Sequence, residues 1–292
     1  MFSKALELAT KFTFPVIFTR RFRRGQISSS LGTFVVVNPD GWILTADHIV
    51  ADILKFSDSQ LAIADHEQQK LDIEANPGLK DHEKRRKIQK LPVSDEWITH
   101  QATLWGDPAW TVSQFFRDPL ADVAIAKING FNPAVVGGYP VFRNPSEDFK
   151  VGTSLCRLGH PFHDIKASFD SASGQFSLDP GTLPVPRFPN DGILTRFVAK
   201  NAADSSRQVL FIETSSAGLR GQSGGPIFDS EGRIYAVQSQ TISLTLGFAP
   251  SVKQGSREIV EHQFMHLGWG THVRHCMDIL RAHGATFLMD PP

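Results

Sequence analysis

The segment Gly221-Gln-Ser-Gly-Gly-Pro226 sets a serine hydroxyl among glycines. Serine is a weak nucleophile at its own pKa and needs a neighbouring base. Glycines let the backbone turn tightly, so that consecutive N–H groups can converge on one point and stabilise the oxyanion that develops in acyl transfer. Alone, the segment could equally be a plain tight turn. His48 closes Thr45-Ala-Asp-His48 at the end of an apolar run; imidazole titrates near neutrality and can act as a general base. Asp122 stands at the entry of the apolar run Val123-Ala-Ile-Ala126. It can cap a turn, or it can fix a histidine tautomer and stabilise the imidazolium. Asp118, before Pro119, is the second-choice acid. Together the three come in the chain order His, Asp, Ser, and that order separates the known triad folds from one another.

Many short strands must position these residues. Phe14 to Phe18 and Gly32 to Val37 read as strands, and Asn38-Pro39-Asp40-Gly41 as a turn that returns the chain along Trp42 to Thr45. Val123 to Ile128, Thr153 to Leu158, Ile193 to Val198, Val209 to Glu213, Pro226 to Phe228 and Ile234 to Ser239 continue the series, with Asp229-Ser-Glu-Gly232 as another hairpin turn. Val273 to His283 has helical spacing, and Gly284 suits its C-terminal cap. The exception lies between Ala64 and Leu91, where 13 of the 26 residues from Asp65 to Lys90 are charged. Two solvated helical segments split by Asn76-Pro77-Gly78 are expected there, as a surface insertion or as a docking element. Arg20-Arg21-Phe22-Arg23-Arg24 reads as the exposed tip of the first hairpin.

Composition narrows the function classes. Of 292 residues, 41% are apolar, and 30 Lys plus Arg balance 30 Asp plus Glu. A chain of this size can bury a large core without staples. Zero net charge argues against a binder that depends on neutralising many phosphates. Cys156 and Cys276 lie far apart, without metal-ligand spacing, and read as buried thiols; nothing supports a disulfide. The histidine groups His160/His163 and His262/His266/His272/His275 lack a completed ligand set, so no metal and no cofactor is expected. Glu7 and Lys11 interrupt the apolar core that a secretory leader needs, and a soluble, cytoplasmic protein is expected.

On Gly32-Thr-Phe-Val, Ile43-Leu-Thr-Ala-Asp-His48, Asp122-Val-Ala-Ile, Gly159-His-Pro161 and Gly221-Gln-Ser-Gly-Gly-Pro226, the sequence resembles the chymotrypsin-fold serine proteases. The resemblance is to their bacterial trypsin-like branch, nearest the HtrA/Deg protease domain. The resemblance covers about Phe14 to Gly284 and leaves the charged insertion unmatched. It implies a mainly β protein of two antiparallel six-stranded barrels with a C-terminal helix. The first barrel (1–135) would carry His48 and Asp122, with an insertion over about 60–100, and the second (136–292) would carry Ser223. The crossover would fall near Asn129 to Asp148. The implied reaction is peptide-bond hydrolysis through an acyl-enzyme, with the N–H groups of Gly221 and Ser223 as the oxyanion hole.

Departures from the family pattern shape the expectation. Gln222 stands where the digestive enzymes carry an Asp that pairs with a new N-terminus, so that activation route is not expected. No PDZ module is expected, and the family's long loop before the catalytic His is missing. The resemblance places Ala217 and Gly218 on the wall of the primary pocket, and Ser239, Gln240 and Thr241 on the strand that pairs with substrate backbone. No carboxylate occupies the pocket floor, and small walls leave room for a neutral, apolar side chain; Glu213 is the residue that could intrude. Arg220 near the cleft would favour an acidic residue beyond the cut. Two alternatives stay open: a regulatory or binding module held inactive until a protein partner meets the insertion, or a maturation protease dedicated to one partner in a stress or defence system. No nucleic-acid or membrane partner is expected.

Overall fold

The computed structural model describes every residue except 204, 205, 255, 256, 261 and 292. Its first sheet contains β1 (Thr13–Phe22), β2 (Ile27–Val36), β3 (Trp42–Thr45), β4 (Ile98–Trp105), β5 (Thr111–Asp118) and β6 (Val123–Asn129), in the order β4-β1-β2-β3-β6-β5. The turn expected at Asn38–Gly41 is present. Asn38 Oδ1 accepts the N–H groups of Asp40 and Trp42 at 3.0 and 3.3 Å, and Gly41 takes φ +81°. That turn sets the register Val35↔Leu44 and Val36↔Ile43 and keeps both strands' apolar residues in the core.

The second sheet contains β7 (Val141–Phe142), β8 (Ser154–Gly159), β11 (Phe188–Asn201), β12 (Gln208–Thr214), β13 (Pro226–Phe228), β14 (Arg233–Thr245), β17 (Phe264–His272) and β18 (Leu288–Met289). Six of these, β13-β8-β11-β12-β17-β14, close into a ring through the β13–β14 pairing. β7 and β18 add short parallel strands outside it, a feature the sequence does not announce. Two small hairpins, β9 (Ala167–Asp170) with β10 (Gln175–Leu178) and β15 (Ser251–Gln254) with β16 (Arg257–Val260), hang from the ring. The molecule is therefore mainly β, built on two six-stranded sheets, one an open half-barrel and one a ring. Phe34, Ile43, Leu44, Ile125, Leu155, Leu158, Phe211 and Phe228 are among the fully buried residues of a core that spans both. Burial of each is worth about 1.5–3 kcal/mol.

Four α-helices stand beside the sheets among the described residues. α1 (Ser3–Thr10), which sequence reading leaves unassigned, buries Ala5 and Ala9, and the adjoining Phe2 ring meets Phe228 edge-on. α2 (Asp47–Ala75) is a single 29-residue helix that starts at Asp47, beside His48, rather than near Ala64. Only Asp47, Ile49, Val50 and Ile53 are buried on it; Gln60 Nε2 donates to Ile98 O at 2.9 Å and the His66 ring meets Trp97 at 5.5 Å, and the rest of this rod, about 43 Å long, is largely solvated. α3 (Asp81–Ile88) follows Asn76-Pro77-Gly78 and buries nothing. α4 (Val273–Ala282) ends before Gly284, whose φ of +69° suits the left-handed position after a helix. The basic cluster is only partly at the hairpin tip, because Arg20 is 8% exposed and pairs with Asp52 at 3.1 Å. No helix among the described residues is long and apolar enough to cross a membrane.

Candidate active site

Asp47 and His48 open α2, where backbone N–H groups lack helical partners. Asp122 supplies one: its Oδ1 accepts the His48 N–H at 2.9 Å, and both its oxygens stand 3.0 Å from His48 Nδ1. A single carboxylate thus caps the helix and orients the imidazole on it. An ionised carboxylate only accepts, so the proton sits on Nδ1 and leaves Nε2 free to take one. Asp122 holds φ +51°, an uncommon backbone state for a non-glycine residue. Ser239 Oγ donates to its Oδ2 at 2.5 Å. Burial works to raise the Asp122 pKa, but the donors from His48 and Ser239 outweigh it and hold the group below the usual carboxylate value. For His48, burial works downward; the hydrogen bond and charge of Asp122, with Asp47 and Asp52, outweigh it and raise its pKa. Asp118, the second-choice acid, is engaged elsewhere, with Arg207 and the Ala121 N–H.

Ser223 lies between β12 and β13. The turn before it closes through Gln222 N–H to Leu219 O at 2.9 Å, with Gly221 at the third position and φ +97°. That position of a type II turn requires a positive φ, which explains the glycine. Gly221 O accepts the His160 N–H at 3.1 Å and the Thr33 hydroxyl at 2.7 Å. Gln222 is fully buried; its Oε1 accepts the Leu219 N–H and its Nε2 donates to Phe188 O. A neutral amide therefore holds this loop without an ion pair. Beyond the serine, Gly224 N–H bonds Gln238 O and Gly225 N–H bonds Gln222 O. The N–H groups of Gly221 and Ser223 have no backbone acceptor among the described residues. His48, Ser223, Gly221 and Arg220 line one cleft of about 240 Å³, with no hydrogen bond between the His48 and Ser223 side chains among the described residues. Such contacts often tighten only with substrate bound.

Of the positions assigned to substrate binding, Ser239 and Gln240 line a separate cavity of about 530 Å³ with His48 and Asp122. Ala217 O accepts from Asn190 Nδ2 at 2.8 Å and Arg157 Nη1 at 2.9 Å. Gly218 O accepts the Thr241 hydroxyl at 2.5 Å. A bulge in β14 between Gln238 and Gln240 lets Ser239 face Asp122. Glu213 is held by Arg196, Thr195 Oγ1 and Trp269 Nε1, at 2.8, 2.9 and 3.0 Å. Burial favours its neutral form, but these donors outweigh that and keep its pKa low. Arg220 also lines a second cavity of about 420 Å³ with His163 and Asp164, and it makes no ion pair among the described residues.

Several residues that organise the site are invisible to motif reading. Thr33 is fully buried: its N–H donates to Ser223 O at 2.9 Å, and its carbonyl accepts the Thr45 hydroxyl at 2.8 Å. Its single hydroxyl proton goes to Gly221, so His160 Nδ1–H donates to the Thr33 oxygen at 3.1 Å. Burial, with Arg187 and His163 nearby, pushes His160 down to about 3 and keeps it neutral. The His160/His163 pair is split, since His163 turns to Thr182 O. His272 accepts the Arg274 N–H, His275 accepts the Leu210 N–H, and His266 meets Ser243. Asp47, buried, is held by Arg117 at 2.6 and 2.9 Å, which fixes the first turn of α2 under His48. Cys156 and Cys276 are both buried free thiols, and burial raises both pKa values, that of Cys156 to about 11.

The profile of the trypsin-like peptidase domain matches residues 32–237, and the chain belongs to that family. More particularly, its relatives are of HtrA/DegP type. It is 28% identical over 229 residues to a probable periplasmic serine endoprotease DegP-like of Pseudomonas putida (strain F1), over 77% of this chain and 32% of that protein. It is 26% identical over 229 residues to the protein of the same description from Ectopseudomonas mendocina (strain ymp), with the same coverage. The chain spans about a third of the length of the curated relatives it matches. The solved structure of the HtrA-type protease AlgW with tripeptide shares the fold at a TM-score of 0.50 and 16% identity, over 98% of this chain and 65% of that one.

Proposed function

We propose that the protein is a serine endopeptidase in which Ser223 is the nucleophile, His48 the general base and Asp122 the acid that orients it. One observation carries this reading: Asp122 grips His48 Nδ1 from both oxygens at 3.0 Å, while His48 and Ser223 line the same cleft. Ser223 Oγ attacks the scissile carbonyl carbon as His48 Nε2 takes its proton. The carbonyl oxygen becomes an oxyanion, for which the N–H groups of Gly221 and Ser223 are available. Collapse breaks the C–N bond, and the proton passes from His48 to the leaving amine. Water, deprotonated by His48, then attacks the ester and frees Ser223 with the second product. Proteins or peptides are the substrates, in keeping with relatives whose names describe endoproteases. Cleavage of an unfolded protein by the wild type, lost in Ser223→Ala at unchanged folding, tests this reading.

A partner-gated form of the same enzyme has its own support. The helix that bears His48 runs without a break into the solvated rod ending at Ala75, so a protein held at the distal end would act on a rigid extension of the base. Deleting the rod beyond the Gln60 contact with Ile98 separates the two forms. General turnover survives if the rod is an ornament, and partner-dependent turnover is lost if it is a lever. A cytoplasmic setting belongs to the same proposal and is tested by cell fractionation.

A further inference from the structure

The recess beside Ser223, between the 217–218 wall and β14, is filled from within the protein. Gln238 is 2% exposed, and its backbone is fastened to the serine loop twice: its carbonyl accepts the Gly224 N–H and its N–H donates to Gly225 O, both at 2.8 Å. From there the side chain lies against Gly218, so closely that a Cβ at that glycine would run into its carboxamide nitrogen. Nε2 donates to Gln240 O at 3.2 Å, and the Thr241 hydroxyl ties the wall to the strand through Gly218 O. The wall has little freedom to retreat. Behind it, the buried Arg157 guanidinium donates to Ser216 O at 2.8 Å and Ala217 O at 2.9 Å, and a Cβ on Gly268 would meet that same guanidinium. Gln238 Oε1 is buried with no hydrogen-bond partner. The amide orientation is set by the bond to Gln240 O, which turning it over would sacrifice.

We propose that Gln238 is the specificity-determining residue: its carboxamide plugs the pocket for the residue before the cut and limits that residue to a small side chain. The proposal rests on the endopeptidase reading and replaces the roomy apolar pocket expected from the small wall residues with a short polar one. A side chain of leucine or phenylalanine size must displace the carboxamide or push back a wall that Arg157 braces.

The test is kcat/KM on peptides that differ only in the residue before the cut, carrying Ser, Ala, Leu or Phe. For the wild type, Ser and Ala exceed Leu and Phe by about tenfold or more, the range that pocket size gives. Gln238→Ala raises the Leu-to-Ala and Phe-to-Ala ratios by about tenfold. Gln238→Met keeps the volume without the carboxamide, so the size limit stays. Ratios within one protein cancel any change in the fraction correctly folded. A wild type that cuts after Leu or Phe as well as after Ala overturns the proposal, as does a Gln238→Ala profile identical to the wild type. Labelling by a fluorophosphonate on the same samples separates the two levels. Labelled wild-type enzyme with no size limit removes the role of Gln238 alone, whereas unlabelled, folded wild type removes the endopeptidase reading and this proposal with it.

Discussion

Replacing Thr33 by valine removes one hydroxyl and leaves the shape of the side chain nearly unchanged. In the wild type that hydroxyl donates to Gly221 O at 2.7 Å and accepts from His160 Nδ1 at 3.1 Å, in a fully buried setting. Valine strands the His160 Nδ1–H, and an orphaned buried donor costs about 1–3 kcal/mol. For a chain of this length each kcal/mol moves Tm by roughly 2–4 °C, so a fall of several degrees is expected. The functional effect is separate. Gly221 O keeps only the His160 N–H at 3.1 Å, so the peptide that would present the Gly221 N–H to the oxyanion is less firmly aimed. Complete loss of one such donor costs about 10²–10³ in kcat. Because Thr33 N–H still holds Ser223 O at 2.9 Å, a smaller fall is expected, about tenfold to a hundredfold in kcat with KM little changed. Steady-state kinetics on one peptide, thermal unfolding of the same samples, and rescue of kcat by Thr33→Ser form the assay. A Thr33→Val enzyme with lowered Tm but wild-type kcat would show that the hydroxyl serves packing alone and would refute the reasoning.

Asp122→Asn should lower kcat by about 10³–10⁴, since the amide no longer enforces the Nδ1–H tautomer. Because Asp122 raises the His48 pKa above 6.5, wild-type kcat/KM should climb with pH through a midpoint above that value, and the residual activity of Asp122→Asn should show its midpoint moved down. The sign for stability follows: the lowered Asp122 pKa helps the fold above about 4 and the raised His48 pKa helps it below about 6.5. The excess stability of wild type over Asp122→Asn in urea melts should therefore peak between those values, fading as pH rises through the His48 pKa and as it falls through that of Asp122. Asp47→Asn, which strips the buried partner from Arg117, should cost on the order of 2–3 kcal/mol, less than for a fully buried pair because the Arg117 side chain is 31% exposed; urea denaturation measures it. Gly224→Ala should prevent the serine loop from seating, since φ is +81° and the new Cβ would meet Thr33 O and Thr45 Oγ1. Soluble yield and Tm should both drop, while Gly174→Ala, at φ +71° but in open space, should lose far less.

Much of the framework was legible because its signals are local. Asn38-Pro39-Asp40-Gly41 fixes its own turn through Asn38 Oδ1 and a glycine at positive φ, and the strands on either side follow from it. The residues proposed for the triad stand out in the sequence because each sits in a short run of fixed chemistry. Where α2 begins was not: Ile49, Val50 and Ile53 are apolar neighbours of a strand, and only their packing shows that the helix already starts at Asp47. The roles of Thr33 and Gln238 were hidden for a different reason. Thr33 acts on Gly221, 188 residues away, and Gln238 fills its recess because a bulge in β14 and the missing Cβ of Gly218 meet there. Spacing along a chain carries no trace of such encounters. The same holds for Glu213, which the sequence leaves free to enter the pocket and which Arg196, Thr195 and Trp269 hold in place.

The most direct measurement on the proposed chemistry is intact-mass detection of a fluorophosphonate adduct, with peptide mapping of the modified residue. Fast formation of one adduct on Ser223, absent in Ser223→Ala and slowed by orders of magnitude in His48→Ala, is the expected result, because only a serine beside a working base reacts quickly. A folded wild-type protein that stays unmodified, or one modified at a residue other than Ser223, would contradict an assembled His48–Asp122–Ser223 site.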